Sequence, residues 1–172
     1  MIISLDKLIR KEIDKLDLSF LENVDTIRNG EYNLSTPLKV EGKISNTNKG
    51  LYLDIEVEFT FVDNCSRCLK EVQVPIKYLV QGFLVKDDFD EEDFEEDIFV
   101  FNGFELDIMD IIDQTIDFEI PLKVLCSEDC KGLCQYCGTN LNIEKCSCNE
   151  VANDEDVIDP RFAKLKDIFK ND

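Results

Sequence analysis

Hydrophobic and polar residues alternate most regularly between Leu51 and Val62, where apolar side chains occupy every second position. A period of two predicts a strand with one buried and one solvated face, as in antiparallel sheets. Residues 48–50 (Asn-Lys-Gly) predict a turn, so Lys39–Ser45 is the expected hairpin partner. Val72–Val85 predicts one or two further strands, with Gly82 as a candidate β-bulge. Ile98–Phe101 predicts a short strand that returns to the sheet.

Apolar residues three and four positions apart mark the segments that we expect to be helical. The predicted helices cover Leu5–Lys15 with Ser4 as N-cap, Ile108 to about Phe118 between the N-cap Asp107 and Pro121, and a short C-terminal stretch with Pro160 near its start. The fold predicted from these elements is α+β, with a largely antiparallel sheet or open barrel, a few helices and a cysteine-rich C-terminal segment.

The composition is strongly acidic, because 19 Lys and Arg against 38 Asp and Glu give a net charge of −19. The chain has no histidine, which excludes Ser-His-Asp triads, Cys-His dyads and His-ligated catalytic zinc. The negative charge argues against broad, non-specific affinity for nucleic acid, which needs clustered Lys and Arg. Residues 87–97 include nine acidic side chains, and this run predicts an extended, flexible loop.

The first residues show no basic region followed by a long apolar run, so we expect no signal peptide. No stretch reaches the roughly 20 apolar residues of a membrane span. We therefore expect a cytoplasmic protein without a membrane partner. In that reducing compartment clustered cysteines usually bind metal. The chain has eight cysteines, two of them at Cys65 and Cys68 and six between Cys126 and Cys148.

A Cys-x2-Cys turn directs two thiolates at one tetrahedral ion, and eight cysteines make two sets of four. The division that we favour has a local site in a zinc-ribbon-like loop, Cys134, Cys137, Cys146 and Cys148, and a composite site, Cys65, Cys68, Cys126 and Cys130. The composite site would join the sheet to the segment that follows the second predicted helix. In the alternative division, Cys126 and Cys130 share an ion with Cys134 and Cys137.

Four thiolates leave no open position for water or substrate, so such ions act in folding rather than in catalysis. We expect two structural zinc ions per chain. The same spacing also suits an iron–sulfur or rubredoxin-like iron site, and disulfides or thiol redox chemistry are a further interpretation. The expected domain layout is an α+β sheet domain over 1–125, a zinc-binding segment over 126–150, and a linker with a short helix over 151–172.

The cysteine motifs occur in an order that resembles a known family. The matching stretches are Cys65-Ser66-Arg67-Cys68-Leu69, Cys126-Ser127-Glu128-Asp129-Cys130-Lys131-Gly132-Leu133-Cys134, Cys137-Gly138-Thr139-Asn140-Leu141-Asn142, Cys146-x-Cys148 and Asp159-Pro160-Arg161-Phe162. They resemble the YceD family of bacterial and plastid proteins, named for large ribosomal RNA subunit accumulation. Gln135 stands where many members have proline. The resemblance implies a non-enzymatic, cytoplasmic ribosome biogenesis factor needed for normal levels of 23S rRNA, and it brings no catalytic residues.

Three functional hypotheses come from different classes of protein. A factor that binds pre-ribosomal RNA or a pre-ribosomal particle would use a basic face, for which the candidate residues are Arg67, Lys131, Lys145 and Arg161. A binding module or chaperone for a basic ribosomal protein would use the acidic run 87–97 as a mimic of phosphates. The third hypothesis is a thiol redox or metal-dependent enzyme, although no particular Asp or Glu is marked for catalysis. We expect a binding function, no enzymatic activity and no small-molecule substrate.

Overall fold

The computed structural model describes residues 1–86 and 97–148. The chain divides into two compact units, Met1–Cys126 and a second that begins at Ser127. The predicted acidic loop, apart from Asp97, and the predicted C-terminal helix lie outside the described residues. The described elements, all in the first unit, are β1 (Ile2–Ser4), α1 (Asp6–Ile9), β2 (Lys15–Glu22), β3 (Thr26–Ile27), β4 (Tyr32–Leu34), β5 (Leu38–Thr47), β6 (Gly50–Asn64), β7 (Glu71–Lys86), β8 (Ile98–Phe101), β9 (Glu105–Asp107), α2 (Ile108–Thr115) and a 3₁₀ turn over Ile116–Phe118.

Strand β6, in which the alternating pattern lies, is the centre of the sheet. It pairs antiparallel with β5 and with β7. Its alternate side chains face the core, and each is at most 8% exposed: Leu51, Leu53, Ile55, Val57, Phe59 and Phe61. Burial of a large apolar side chain stabilises a fold by about 1.5–3 kcal/mol, so this row determines which face of the strand points inward. The predicted pairing of Lys39–Ser45 with this strand is confirmed within β5.

The largest sheet is open. Its main path follows the order β2-β5-β6-β7-β8. Strand β4 pairs with the C-terminal part of β6, beyond the residues that pair with β5, and β3 pairs with β4. Strand β8 runs parallel to β7, whereas the other pairs are antiparallel. The prediction of a largely antiparallel sheet is therefore confirmed. Strands β2 and β8 lie at opposite ends of this order and do not pair, so the described strands form no closed barrel.

Gly82 is not at a bulge, contrary to the sequence-based expectation. The register between β6 and β7 continues without interruption from Leu51 opposite Leu84 to Asn64 opposite Glu71. A Cβ atom at Gly82 would lie 2.5 Å from the carbonyl oxygen of Asp97 and 2.7 Å from Phe99 Cε2. Glycine is required here because the chain that enters β8 passes directly over it.

The first helix is much shorter than predicted. Ser4 belongs to β1, opposite Glu105, and provides no helix cap. The helix α1 ends after one turn, and Lys11 then adopts a φ of 57°, which breaks the helical path. The residues that follow pair with β5 as strand β2, because Leu16 and Leu18 continue an alternation that suits the sheet.

The second helix agrees with the prediction. Asp107 precedes it in an extended conformation, and its carboxylate accepts a hydrogen bond from the backbone N–H of Met109 at 3.0 Å. This is the geometry of an N-cap. Ile108, Ile111 and Ile112 are buried in the core of the first unit, and the 3₁₀ turn ends the helical path before Pro121.

The second unit, in its described part 127–148, has no comparable core. It consists mainly of turns, with one antiparallel bridge between Leu133 and Asn140. The buried hydrophobic residues in this part of the chain are Cys130 and Cys134. So small a segment needs metal ions or cross-links to hold one conformation, because apolar burial offsets little of its conformational entropy.

Candidate metal centres

The eight cysteines form two groups of four. Within each group the sulfur atoms all lie within 4.8 Å of one another. A tetrahedral ion with metal–sulfur bonds of about 2.3 Å requires sulfurs about 3.8 Å apart, so each group could hold one ion. The first group consists of Cys65, Cys68, Cys126 and Cys130, and the second group of Cys134, Cys137, Cys146 and Cys148. This division is the one that the sequence favours.

Each group contains one Cys-x2-Cys turn, and the two turns have the same backbone hydrogen bonds. In both, the residue after the second cysteine donates back to the carbonyl of the first, and the first cysteine donates forward across the turn. The bonds are Leu69 N to Cys65 O (2.9 Å) and Cys65 N to Lys70 O (2.8 Å), and Gly138 N to Cys134 O (3.0 Å) and Cys134 N to Thr139 O (2.8 Å). Two separate segments of the sequence thus form the same ligand-presenting turn.

The residue after the second cysteine is left-handed in both turns, with φ of 59° at Leu69 and 74° at Gly138. Glycine adopts this conformation freely, whereas for other residues it costs about 1–2 kcal/mol. Leu69 is nevertheless 66% exposed, so core packing does not compensate for its backbone conformation. The strain at Leu69 was not predicted from the sequence, because only a glycine at this position is a recognisable signal for a left-handed residue.

The first turn buries its two cysteines in the first unit and exposes the residues between and after them. Cys65 is fully buried, and Ser66 N donates to the carbonyl of Val124 at 2.8 Å, which brings the turn beside the chain that leads to Cys126. Burial opposes ionisation of Cys65, but backbone N–H groups of Arg67, Cys126 and Cys68 lower its pKa to about 6. The Cys68 and Cys126 sulfurs are 3.5 Å apart.

Contacts within the second group shift the pKa values of its thiols in opposite directions. The side chain and backbone of Thr139 lower the pKa of Cys137 to about 6, and its hydroxyl lies 3.2 Å from the Cys137 sulfur. Contact with the Cys137 sulfur raises the pKa of Cys148 to about 12. An ion bound by this group would displace the remaining thiol protons, because cysteine binds a metal ion as the thiolate.

Asn142 lies in the loop between Cys137 and Cys146 of the second group and contacts a cysteine of the first group. Its Nδ2 atom donates to the Cys130 sulfur at 3.3 Å, and its Oδ1 atom accepts from Lys131 N at 2.8 Å. Asn142 belongs to the motif Cys137-Gly138-Thr139-Asn140-Leu141-Asn142, whose sequence alone assigns it no role. No sequence signal marks this contact, because it depends on how the loop between Cys137 and Cys146 lies against Cys130.

The structure describes three of the four predicted RNA-contacting residues. Arg67, Lys131 and Lys145 are exposed, as contact with a macromolecule requires. Arg161 lies outside the described residues. Lys131 is adjacent to Cys130, and Lys145 is adjacent to Cys146. The position of each lysine therefore depends on the conformation of the neighbouring cysteine group. Their role as RNA contacts stays a prediction.

Comparison with known proteins identifies the family. The model of the family described as large ribosomal RNA subunit accumulation protein YceD matches residues 53–169, which is more than half of the chain and includes all eight cysteines. This chain belongs to the YceD family. No solved structure gives a significant match.

Relatives of this YceD protein occur in bacteria and plants. The uncharacterized protein YlbN of Bacillus subtilis is 25% identical over 169 residues, 94% of this chain and 93% of that protein. An uncharacterized protein of Mycobacterium tuberculosis is 28% identical over 143 residues, 77% of this chain and 62% of the relative. This chain therefore spans less than two thirds of the mycobacterial relatives it matches.

A plant relative has a functional name. The large ribosomal RNA subunit accumulation protein YCED homolog 1, chloroplastic, of Arabidopsis thaliana is 39% identical over 51 residues, 30% of this chain and 16% of the plant protein. These names support a ribosome-related role for the family. In the part of the chain that the structure describes, no helix is long and apolar enough to span a membrane.

Proposed function

We propose that this protein is a non-enzymatic ribosome biogenesis factor of the cytoplasm that supports accumulation of 23S rRNA. Membership of the YceD family carries the proposal, because the family description and the plant relatives' names refer to the large ribosomal RNA subunit. The chain would act by binding a pre-ribosomal particle, through its RNA or through one of its proteins. Deletion of its gene should lower the ratio of 23S to 16S rRNA, and an unchanged ratio would contradict the proposal.

The two cysteine groups are proposed to hold one zinc ion each. Four thiolates are the donor set of structural zinc sites, and such a bound ion supplies folding free energy. This suits the second unit, whose described part has so few buried apolar side chains. Native mass spectrometry of protein purified without chelator should detect two zinc ions per chain. Iron, a single ion or disulfide-bonded cysteines would contradict this assignment.

Binding rather than catalysis is proposed because both ligand sets are complete without water or substrate. The described residues also contain no histidine to serve as a general base near a pocket. A cavity of about 400 Å³ near α1 and β7 is lined mainly by apolar side chains, and its charged groups are Lys49 and Lys86. Two lysines beside an apolar wall are an incomplete set for acid–base chemistry.

The partner surface is proposed to include Lys131 and Lys145. Both are exposed and lie next to metal-ligand candidates, so they would be held at defined positions once the ions bind. With a net charge of −19, the chain has to bind an RNA through a few local cations, since its overall field repels phosphate. The second candidate, recognition of a basic ribosomal protein, would use the acidic residues instead.

Charge reversal distinguishes these two partners. Lys131→Glu with Lys145→Glu should abolish co-sedimentation with large-subunit precursors, whereas Lys7→Glu with Lys49→Glu changes the net charge equally at exposed positions of the first unit and should have little effect. If both double variants bind like the wild type, Lys131 and Lys145 are not the contact. Retention of binding after ribonuclease treatment would favour a ribosomal protein as the direct partner.

A further inference from the structure

The side chain of Asn142 has all its hydrogen-bonding groups engaged. Its two amide hydrogens point at the Cys130 sulfur (3.3 Å from Nδ2) and at Asn140 Oδ1 (2.9 Å). Its carbonyl oxygen accepts from Lys131 N at 2.8 Å. If the amide were flipped, its oxygen would face Asn140 Oδ1 and the Cys130 sulfur, and its NH2 group would face the N–H of Lys131. The chemistry of its neighbours therefore fixes the donor of Asn142 on the sulfur.

The backbone around Asn142 is held by the second group. Residues 139–142 lie in the loop between Cys137 and Cys146, which are both ligand candidates of that group. This loop runs beside residues 132–134, which connect Cys130 to Cys134. The backbone contacts between the two segments are Cys134 N to Thr139 O (2.8 Å), Leu141 N to Gly132 O (3.0 Å) and the bridge between Leu133 and Asn140.

An ion in the second group would therefore determine where the Asn142 amide lies. Closing the loop between Cys137 and Cys146 removes most of the conformations in which Asn142 is far from Cys130. A hydrogen bond from N–H to a thiolate ligand stabilises its charged form and orients it toward the metal ion. The hydrogen bond from Asn142 to Cys130 thus depends on metal binding at the second group and affects a ligand candidate of the first group.

We propose that Asn142 couples the two metal sites, so that an ion bound by the second group raises the affinity of the first group. The inference rests on the proposed binding of two metal ions and adds that they do not bind independently. Because coupling is reciprocal, an ion in the first group strengthens the second group by the same factor. Asn142 is a positioning residue here, since it contacts a ligand and not the ion.

The first test measures zinc affinity by competition with a chromogenic chelator, using the reduced full-length chain. Asn142→Asp keeps the oxygen that accepts from Lys131 N but replaces the donor to sulfur by a second oxygen. Loss of such a ligand contact typically weakens metal binding about 10–100-fold, and we expect this loss at the first group. Asn48→Asp, the same change at an exposed turn, should leave both affinities unchanged.

The second test removes one group at a time. With Cys146→Ser and Cys148→Ser, the first group should bind zinc about tenfold or more weakly, and Asn142→Asp should cause no further loss. With Cys65→Ser and Cys68→Ser, the affinity of the second group should not respond to Asn142→Asp.

The outcomes separate the coupling from the proposed metal binding. If Asn142→Asp weakens the first group equally with and without the second group, Asn142 is a local contact and the coupling is wrong. An unchanged affinity in every background overturns the role of Asn142 altogether. If the wild-type chain binds zinc at neither group, the metal assignment itself fails. Far-UV circular dichroism of Asn142→Asp and of the Cys146→Ser, Cys148→Ser variant should retain the sheet signal, since these positions lie outside the sheet.

Discussion

Replacing Tyr78 by phenylalanine should stabilise the protein. Tyr78 lies on β7 and is 7% exposed, and its hydroxyl has no hydrogen-bond partner among the described residues. The nearby Thr115 hydroxyl donates instead to the carbonyl of Ile111 at 3.0 Å. An unsatisfied buried polar group costs about 1–3 kcal/mol, and deletion of one oxygen atom loses a fraction of this in packing contacts. We therefore expect a gain of about 1 kcal/mol in the free energy of unfolding.

The pH dependence of the same variant provides an independent check. Burial raises the pKa of Tyr78 to about 12 against its ordinary value of 10.0. The folded state therefore holds the phenolic proton more tightly than the unfolded state, and stability falls as the pH rises above 10. Each pKa unit corresponds to about 1.4 kcal/mol, and the folded state is only half ionised at pH 12, so the wild type should lose about 2 kcal/mol more than Tyr78→Phe up to pH 12.

Urea unfolding followed by circular dichroism measures both effects, because the chain has no tryptophan. Tyr32→Phe is the matched control, since the Tyr32 hydroxyl donates to Asp117 Oδ1 at 2.7 Å and its loss should destabilise the fold by about 1 kcal/mol. A loss of stability in Tyr78→Phe at neutral pH would show that the hydroxyl has a partner, and the reasoning from burial would then be wrong.

Three further predictions concern the sheet, the helix and the metal sites. Gly82→Ala should destabilise the fold by about 1–3 kcal/mol in urea unfolding, because its Cβ would collide with the backbone entering β8, whereas Gln81→Ala on the exposed face should change little. Asp107→Ala should cost about 1–2 kcal/mol, because the carboxylate caps α2 and also accepts from Met1 N at 2.8 Å; Asp107→Ser, which keeps only the cap, should restore part of this loss, and no recovery in Asp107→Ser would contradict a capping role. A strong chelator should increase hydrogen exchange in residues 127–148 far more than in β6 and β7, and uniform exchange would contradict metal-dependent order in the second unit.

The sheet and the second helix could be predicted because local pattern and tertiary structure agree there. Six apolar residues alternate along β6, and an aspartate precedes the isoleucines of α2. The first helix could not be predicted, because residues spaced like Leu5 and Leu8 also suit a single turn followed by a strand. Gly82 was misassigned for a related reason, since a bulge and a close crossing both favour glycine and only the position of β8 distinguishes them.

The cysteine groups were accessible to sequence reasoning because metal-ligand spacing is a strong local signal. The contact between Asn142 and Cys130 was not, since it depends on how two turns lie against each other. The left-handed conformation of Leu69 was also hidden, because leucine is not the residue that such a turn normally requires. Spacing thus identifies ligand candidates, and the fold is needed to identify what orients them.

The order of the cysteines along the chain has a consequence for synthesis on the ribosome. Cys68 and Cys126 are 58 residues apart, although their sulfurs are 3.5 Å apart in the folded chain. At roughly 5–20 residues per second, the first Cys-x2-Cys turn leaves the exit tunnel about 3–12 s before Cys126 does. During that interval the nascent chain presents two thiols without their partners. Chaperones, oxidants and competing metal ions can therefore act on the first turn while translation is still in progress.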